Sequence, residues 1–153
     1  MTTPFQDQRD FMVAFGQSIA GTNTEQYILY NNLVTEEIKE LLEAMREVQD
    51  AGIELQKYDD EIPTSAIKGL IDASAHATKE AMDVVVVITG YLLSMGIDPD
   101  LAWKAVHESN MGKLDPETGK PILRKDGKVQ KPTSWRAPDM KTVVLESWVK
   151  NDE

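Results

Sequence analysis

The stretch VTEEIKELLEAM, residues 34–45, decides the fold, because glutamates and leucines recur in it with the period of a helix. At 100° per residue, Ala44 and Val48 lie within about 40° of Glu37, as does Leu41, so Glu37 falls inside the apolar stripe. The other three glutamates lie along one edge of that stripe. A carboxylate that points at the core needs a compensating partner, because burial of an unpaired charge is costly. The direction of Glu37 is therefore the first indication of a site.

A second acidic pair, one helix further along the chain, has the same direction. Asp83 lies one turn beyond Glu80, and Val84 and Val87 lie within about 40° of Glu80 on a helix. Four such carboxylates in a dry site would repel each other and raise their pKa values, unless divalent cations lie between them. Oxygen ligands suit Mg²⁺ or Mn²⁺. The two pairs predict a metal site between two helices, and solvated acidic helix faces are the alternative interpretation.

The composition bounds the class of protein. A chain of 153 residues is long enough for one domain with a core. We predict a single domain over 1–153, with a helical core over about 4–111 and a hairpin and tail over about 112–153. The 26 acidic and 16 basic residues give a net charge of −10, which opposes binding to a nucleic-acid polymer. The sequence has no cysteine, which removes disulfides, thiolate zinc sites and cysteine nucleophiles.

Neither a secretion signal nor a membrane span is expected. The N-terminus MTTPFQDQRD has no apolar signal core, and the run VVVVI at 84–88 is too short to cross a bilayer. We therefore expect a cytoplasmic protein without a membrane partner.

The VVVVI run is compatible with a buried strand, but its flanks favour a helix. A helix that is apolar all round belongs at the centre of a bundle or in a dimer interface.

Helical signals dominate the first two thirds of the chain, and the remainder is richer in Pro, Gly and Lys. A capping residue or a proline marks the start of most segments, and a glycine marks several ends. We predict a first helix from Thr3 to about Gly16, and a second from Asn23 or Thr24 to about Asp50 that stops at Gly52. A third helix is predicted from about Ser65 to Met95, and a break near its middle is left open. A fourth helix from Asp98 to Met111, a hairpin around Asp126 and Gly127 and a last helix after Asp139 complete the prediction.

Several short motifs, in order, resemble one known family. EEIKE (36–40) and EAMD (80–83) resemble the Glu-Glu-x-x-Glu and Glu-x-x-Asp signature of the all-α nucleoside triphosphate pyrophosphohydrolases. FMVAFGQ (11–17), SNMGK (109–113) and DGKVQKP (126–132) resemble the opening helix and the C-terminal segment of MazG-like proteins of phages and bacteria. The resemblance implies an all-α, MazG-like helical bundle that forms a homodimer or a dimer of dimers, in the cytoplasm of a bacterium or a phage-infected host cell.

The resemblance also implies a reaction. Members cleave a nucleotide to the monophosphate and pyrophosphate with Mg²⁺, which Mn²⁺ can replace, at two or more ions per site. The implied substrate is a (d)NTP, with a purine nucleotide such as dGTP as one candidate, because a phage member that removes dGTP is among the closest likenesses. The alternatives are a non-catalytic acidic helical module that binds a basic partner and a metal-binding protein without hydrolase activity. Carried over by position, the implied residues are Glu37, Glu40, Glu80 and Asp83 as metal ligands, Glu36 and Glu37 as catalytic groups, and Asn110 and Lys113 as substrate contacts.

Three further side chains have both a functional and a structural interpretation. Trp135 can stack on a base or cover the helical core, and Gln17 can bind a base edge or end its helix. His76 can donate a hydrogen bond to Glu80 from one turn away, or simply pack.

The gap between the two acidic motifs is longer than in compact members of the family. The resemblance therefore implies an insertion or an extra helical turn over about 55–75.

Overall fold

The structure is a computed structural model, and it describes residues 2–21, 23–59 and 61–151. Five α-helices and one two-stranded antiparallel sheet form this part of the chain, which confirms the predicted all-α fold with a short C-terminal hairpin. In chain order the elements are α1 (Pro4–Ala14), α2 (Thr24–Leu55), α3 (Thr64–Ser94), α4 (Pro99–Met111), β1 (Ile122–Leu123), β2 (Val129–Gln130) and α5 (Met140–Asn151).

The chain divides into two compact units between Met95 and Gly96. The first unit contains α1, α2 and α3, and the second contains α4, the hairpin and α5. The carboxylates of both acidic motifs belong to the first unit, because they lie on α2 and α3. That the whole chain acts as a single domain stays a prediction.

The second helix, α2, is longer than predicted. Its start is as expected, because the Asn23 side chain accepts a hydrogen bond from the backbone N–H of Gln26 at 3.0 Å. The predicted stop at Gly52 is wrong, since α2 continues to Leu55. A glycine inside a helix costs about 1 kcal/mol relative to alanine. Partial burial of the neighbouring Ala51 and Leu55 offsets this cost.

The third helix, α3, runs unbroken from Thr64 to Ser94, so the break left open near its middle does not occur. The sequence between Gly69 and Gly90 contains no glycine or proline, and its alanine-rich turns favour a helix. Gly96 follows with a φ of +70°, the left-handed conformation that a glycine adopts at low cost where a helix ends. Within 55–75, Leu55 ends α2, the described residues 56–59 and 61–63 lie outside the helices and are mostly exposed, and residues 64–75 form the first turns of α3; an insertion relative to the family stays a prediction.

The packing of α2 on α3 is the most extensive interface of the first unit, and α1 packs on α3 beside it. The core contains Met12, Tyr30 and Leu93, which are at most 3% exposed. Tyr30 approaches α3 so closely that a Cβ atom added at Gly90 would lie 2.0 Å from its Cε1 atom. Only glycine fits at this position, and the contact fixes how closely α2 and α3 approach each other.

The VVVVI run is helical, as predicted, but one chain does not bury it on every side. Val87 is 8% exposed, whereas Val85, Val86 and Ile88 are 38%, 44% and 40% exposed. A place at the centre of a bundle is therefore wrong for a single chain, and a dimer interface stays a prediction. Among the described helices, none is by itself both long and apolar enough to cross a membrane, and α3 and α4 meet the two criteria only when they are taken together.

Side-chain caps set the start of both helices in the second unit. The Asp98 carboxylate accepts hydrogen bonds from the backbone N–H groups two and three residues later, at the start of α4. Asp139 caps α5 through the backbone N–H of Thr142, as predicted. The hydroxyl of Ser147 accepts a hydrogen bond from the Asp98 N–H at 3.0 Å, which holds α5 against the start of α4.

The hairpin of the second unit is short and exposed. Its two strands pair antiparallel, with Ile122 opposite Gln130. Gly127 lies in the turn with a φ of +79°, a conformation that glycine adopts without steric cost. The structure thereby confirms the hairpin predicted from the Asp126 and Gly127 pair.

Candidate metal centre

Three carboxylates converge between α2 and α3. Glu37 and Glu40 lie one turn apart on α2, and Glu80 lies on α3. Each offers one oxygen atom, and these three oxygens all lie within 4.8 Å of one another. The side chains of Glu37 and Glu40 share one face of α2, because residues three apart on a helix are neighbours. The structure thus brings together three of the four predicted metal ligands, and their role as ligands stays a prediction.

Glu37 has the least compensated oxygen of this group. Its Oε2 atom is buried and has no hydrogen-bond partner in the described part of the chain. Burial is the main cause that raises the pKa of Glu37, and neighbouring carboxylates, Glu40 first, raise it further, while Lys79 lowers it. A buried acceptor without a partner carries a free-energy penalty. A hard divalent cation held by carboxylate oxygens would remove the penalty, so the residues present fit such an ion.

Glu80 is the most buried member of the group, with 3% of its surface exposed. Its two oxygens lie 3.0 and 3.1 Å from Nζ of Lys79, and Oε1 lies 3.1 Å from Nε2 of His76. His76 also contacts Glu47 through Nδ1 at 2.8 Å, and this hydrogen bond is the main cause that raises the pKa of His76. The interpretation of His76 as a partner that orients Glu80 agrees with these contacts.

Two of the five predicted acidic site residues, Asp83 and Glu36, lie outside the group of three carboxylates. The side chain of Asp83 is 37% exposed, and its Oδ2 atom pairs with Nζ of Lys79 at 2.9 Å. Glu36 is exposed on α2 and lines a shallow groove of about 470 Å³ together with Lys39 and Glu40. Glu36 is therefore open to solvent water, whereas the Oε2 atom of the neighbouring Glu37 is buried.

Gln17, a predicted substrate contact, is engaged inside the first unit. Its Oε1 atom accepts a hydrogen bond of 2.7 Å from the Tyr30 hydroxyl, and Nε2 of Gln8 donates to the same hydroxyl at 3.5 Å. Burial is the main cause that raises the pKa of Tyr30. Gln17 therefore satisfies a buried hydroxyl that would otherwise lack an acceptor. Its contact with a base stays a prediction.

The end of α4 carries the predicted substrate contacts of the second unit. Nζ of Lys113 donates to Oδ1 of Asn110 at 2.7 Å, so these two side chains form one polar pair. Nε1 of Trp135 donates to the carbonyl of Ser109 at 2.9 Å, and Nζ of Lys131 lies 3.6 Å from the centre of the Trp135 ring. Trp135 is thus packed on α4 with Lys131 over its ring, and its stacking on a base stays a prediction.

The second unit also contains an open cavity of about 770 Å³. It is lined by residues of α4, of the segment around Trp135 and of the start of α5. Met111 and Gly112 lie on its wall, directly between Asn110 and Lys113 in the sequence. Its volume is in the range of pockets that bind small organic molecules. The predicted substrate contacts of this unit therefore flank a space of suitable size.

The helical fold defines the chain as an all-α protein. Its inward carboxylates, among which Glu37 has a buried oxygen without a partner in the described residues, form an acidic site suited to a divalent metal. The sequence model of the phosphoribosyl-ATP pyrophosphohydrolase family matches residues 10–110, and the chain therefore belongs to this family. It is an all-α nucleoside triphosphate pyrophosphohydrolase-like family related to MazG, it depends on divalent metal, and its members hydrolyse a phosphoanhydride bond in a nucleotide. No curated protein matches the chain.

Family membership decides between the classes of function left open by the sequence. The chain is a nucleotide pyrophosphohydrolase, a hydrolase that acts on phosphoric anhydride bonds. The matched region spans both acidic motifs and extends to Asn110. The non-catalytic alternatives are therefore not retained, while the narrower MazG-like assignment stays a prediction.

Sequence reasoning missed two residues that contact the site. Lys79 pairs with both Glu80 and Asp83, and Glu47 holds the far side of the His76 ring. The spacing of Lys79 and Asp83, four residues apart on one helix, was a signal available in the sequence. The partner of His76 was not, because Glu47 lies on the other helix of the pair.

Proposed function

We propose that the chain is a MazG-like, Mg²⁺-dependent pyrophosphohydrolase that cleaves a (d)NTP to the (d)NMP and pyrophosphate. The observation that carries the proposal is the buried Oε2 atom of Glu37, which lacks a hydrogen-bond partner in the described residues although Glu40 and Glu80 lie beside it. Acidic side chains gathered around an uncompensated oxygen are unfavourable without a cation. This arrangement is explained if divalent ions complete it.

The proposed ligands are four of the five carboxylates of the two acidic motifs, all except Glu36. When bound, divalent ions supply charge neutralisation at the phosphates and lower the pKa of water. His76 orients Glu80 through the hydrogen bond to Oε1. Glu36, exposed at the groove next to Glu37, orients the attacking water and accepts its proton. The proposed ligands are Glu37, Glu40, Glu80 and Asp83.

The substrate is proposed from its phosphates outward. Lys113 and Asn110 form a polar pair that suits contact with a phosphate, because an ammonium group binds phosphate as a point charge. Gln17 and Trp135 complete the proposed contacts. Purine nucleotides, dGTP first, are the proposed substrates, and phosphoribosyl-ATP is the second candidate because it gives the matched family its name. A panel of dNTPs, NTPs and phosphoribosyl-ATP with pyrophosphate detection distinguishes them.

We further propose that the active protein is a homodimer or a dimer of dimers. Both helices of the central pair carry large apolar side chains on their exposed surface, and a second copy would cover them. On α2 these side chains are 40–54% exposed and on α3 they are 38–61% exposed; they are Ile38, Leu42 and Met45 on α2, and Ile71, Met82 and Val85 on α3.

The test of the proposed site is the substitution Glu37→Gln. Glutamine keeps the size of the side chain but is a poor ligand for a hard dication. We expect the variant to lose hydrolysis and to lose the Mg²⁺-dependent rise in melting temperature that the wild type shows. Without metal the variant should be at least as stable as the wild type, because one source of repulsion is removed.

The control is Glu43→Gln, which makes the same change at an exposed position of the same helix. It should keep both the activity and the Mg²⁺ shift. Phosphorus NMR should show a nucleoside monophosphate and pyrophosphate as products. Release of orthophosphate with a nucleoside diphosphate would contradict the proposed cleavage position. Full activity and an unchanged Mg²⁺ shift in Glu37→Gln would show that Glu37 is not a ligand.

A further inference from the structure

Lys79 occupies an unusual position among the acidic side chains of α3. Its ammonium nitrogen lies 3.0 and 3.1 Å from the two oxygens of Glu80 and 2.9 Å from Oδ2 of Asp83. It therefore bridges the buried carboxylate of the group of three and the one proposed ligand that lies outside that group. Bridging two carboxylates is also the geometry expected of a bound cation.

We propose that Lys79 is an internal counter-ion of the metal site: its ammonium group holds Glu80 and Asp83 in the metal-free protein, and a divalent cation displaces it. The inference rests on the proposed metal site, because it assigns Lys79 a role only if the carboxylates bind metal. It makes Lys79 a positioning residue. The exchange replaces a monovalent cation by a divalent cation at the oxygens of Glu80 and Asp83.

The charges of the site explain why a counter-ion is needed. Four carboxylates lie on facing stretches of α2 and α3, and Lys79 and His76 are the basic side chains that contact them in the described residues. Lys79 contacts two of these carboxylates at 2.9–3.1 Å, and a lysine side chain ordinarily carries a positive charge at neutral pH. Without this charge, the metal-free site would hold like charges close together.

The side chain of Lys79 is also able to leave. It is 62% exposed, whereas that of Glu80 is 4% exposed. A lysine has a long flexible stem with a strongly hydrated head, so the ammonium group can move into water while the helix stays in place. Glu80, by contrast, is fixed by burial and by His76. A divalent ion that binds Glu80 therefore competes with a mobile cation at a fixed carboxylate.

Asp83 should become available in the same step. It lies three residues after Glu80 on the same helix, so the two side chains are neighbours, but its oxygen is held by Lys79 and not by the group of three. Release of Lys79 frees the fourth carboxylate for the metal. The inference predicts that Lys79 weakens metal binding and stabilises the metal-free protein.

Substitutions of opposite effect at Lys79 test this exchange. Lys79→Met removes the competing cation and should bind Mn²⁺ roughly tenfold more tightly by calorimetry, because a positive charge within hydrogen-bonding distance of the ligands is lost. Lys79→Arg should bind Mn²⁺ more weakly than the wild type, because a guanidinium group holds carboxylates through paired hydrogen bonds and is displaced less readily. The metal-free Met variant should melt at a lower temperature than the wild type.

Two control variants separate exchange from a general effect of charge. Lys68→Met removes a lysine of the same helix that, among the described residues, pairs with Asp72, four residues on, and should leave Mn²⁺ affinity unchanged. Lys39→Met removes a positive charge beside Glu40, in the groove next to the site. It should tighten Mn²⁺ binding less than Lys79→Met. An equal effect of the two would indicate through-space charge alone and would overturn the exchange.

A second measurement follows Lys79 in the wild-type protein and does not depend on the stability of any variant. Acetylation of lysines, quantified by peptide mass spectrometry, should be faster at Lys79 when Mn²⁺ is present, because the freed amine loses its two carboxylate partners. Lys68 should acetylate at the same rate with and without Mn²⁺. Unchanged acetylation at Lys79 under saturating Mn²⁺ would overturn the inference.

The outcomes separate this inference from the proposed function. If the wild type binds Mn²⁺, Glu37→Gln does not, and Lys79→Met binds no more tightly than the wild type, then the metal site stands and the role of Lys79 is refuted. If the wild type itself does not bind Mn²⁺, the proposed metal site fails, and the role of Lys79 fails with it. Tighter binding by Lys79→Met with weaker binding by Lys79→Arg supports both.

Discussion

Gly90 lies where the ring of Tyr30 meets α3, and a methyl group cannot be added there without moving the ring. A Cβ atom at this position would lie 2.0 Å from Cε1, 2.6 Å from Cζ and 2.8 Å from Cδ1 of Tyr30. Carbon atoms in contact are about 3.5–4.0 Å apart, so Gly90→Ala requires a displacement of roughly 1.5 Å or more between the two helices or at the ring. We predict that this single methyl group strongly destabilises the first unit.

The size of the effect follows from two terms and one offset. Overpacking a well-packed core costs about 1–3 kcal/mol. Displacement of the ring also breaks the 2.7 Å hydrogen bond from the Tyr30 hydroxyl to Gln17, and a buried hydroxyl without its partner costs about 1–3 kcal/mol. Alanine regains about 1 kcal/mol of helix propensity. The expected net loss is about 3 kcal/mol, which corresponds to a fall in melting temperature of roughly 6–12 °C for a chain of this size.

The assay is thermal unfolding followed by circular dichroism, at one fixed protein concentration and with chelator present. The matched control is Gly69→Ala, which makes the same substitution inside the same helix. A Cβ atom at Gly69 would meet nothing within 4 Å, so this variant should gain about 0.5–1 kcal/mol. Opposite signs for two identical substitutions on α3 would isolate the contact with Tyr30.

The same variant should also weaken metal binding. Tyr30 lies two turns before Glu37 on α2, and Gly90 lies on α3 beyond Glu80, so a wider spacing at Tyr30 separates the carboxylates of the two helices. The double variant Tyr30→Leu with Gly90→Ala should be more stable than Gly90→Ala alone, because the smaller side chain makes room. A melting temperature of Gly90→Ala within 1 °C of the wild type would refute the close approach of α2 and α3 and this account of the site's spacing.

Three further outcomes are expected. Lys113→Ala should lower kcat/KM at least several-fold while changing unfolding free energy by less than about 0.5 kcal/mol, and equal activity would refute a substrate contact. Light scattering at micromolar concentration should give two or four times the chain mass of 17.1 kDa, and a monomer would refute the proposed oligomer. Hydrogen bonds from the Thr142 hydroxyl and then from its backbone N–H lower the pKa of Asp139 below its usual 3.8. Asp139→Ala should therefore lower the melting temperature at pH 7, and this difference should shrink as the pH falls through the pKa of Asp139, because the charged form supplies the extra stability.

The fold was largely predictable because its local signals agree with each other. Capping side chains at Asn23, Asp98 and Asp139 lie where the helices begin, and the Asp126 and Gly127 pair lies in the turn of the hairpin. The error at Gly52 has a physical cause. A glycine ends a helix only when the residues after it gain too little from packing to offset the cost of the glycine. The sequence alone does not show which of those residues are packed.

The candidate site was predictable in its direction but not in its details. Helical phase shows that Glu37 and Glu80 face inward, because it depends only on spacing along one helix. It cannot show which side chains from the other helix arrive beside them. The contact of His76 with Glu47 and the close fit of Gly90 on Tyr30 depend on the relative register of α2 and α3, which no local pattern encodes.

The boundary between Met95 and Gly96 has a consequence for how this enzyme can change over evolutionary time. The carboxylates proposed to hold the metal all precede it, whereas Asn110, Lys113 and Trp135 all follow it. If Trp135 stacks on a base as proposed, a substitution there would alter which nucleotide is accepted and would leave every proposed metal ligand in place. Relatives with different substrates should then differ more at Trp135, and at Gln17 in the first unit, than at the carboxylates or at the proposed phosphate contacts Asn110 and Lys113.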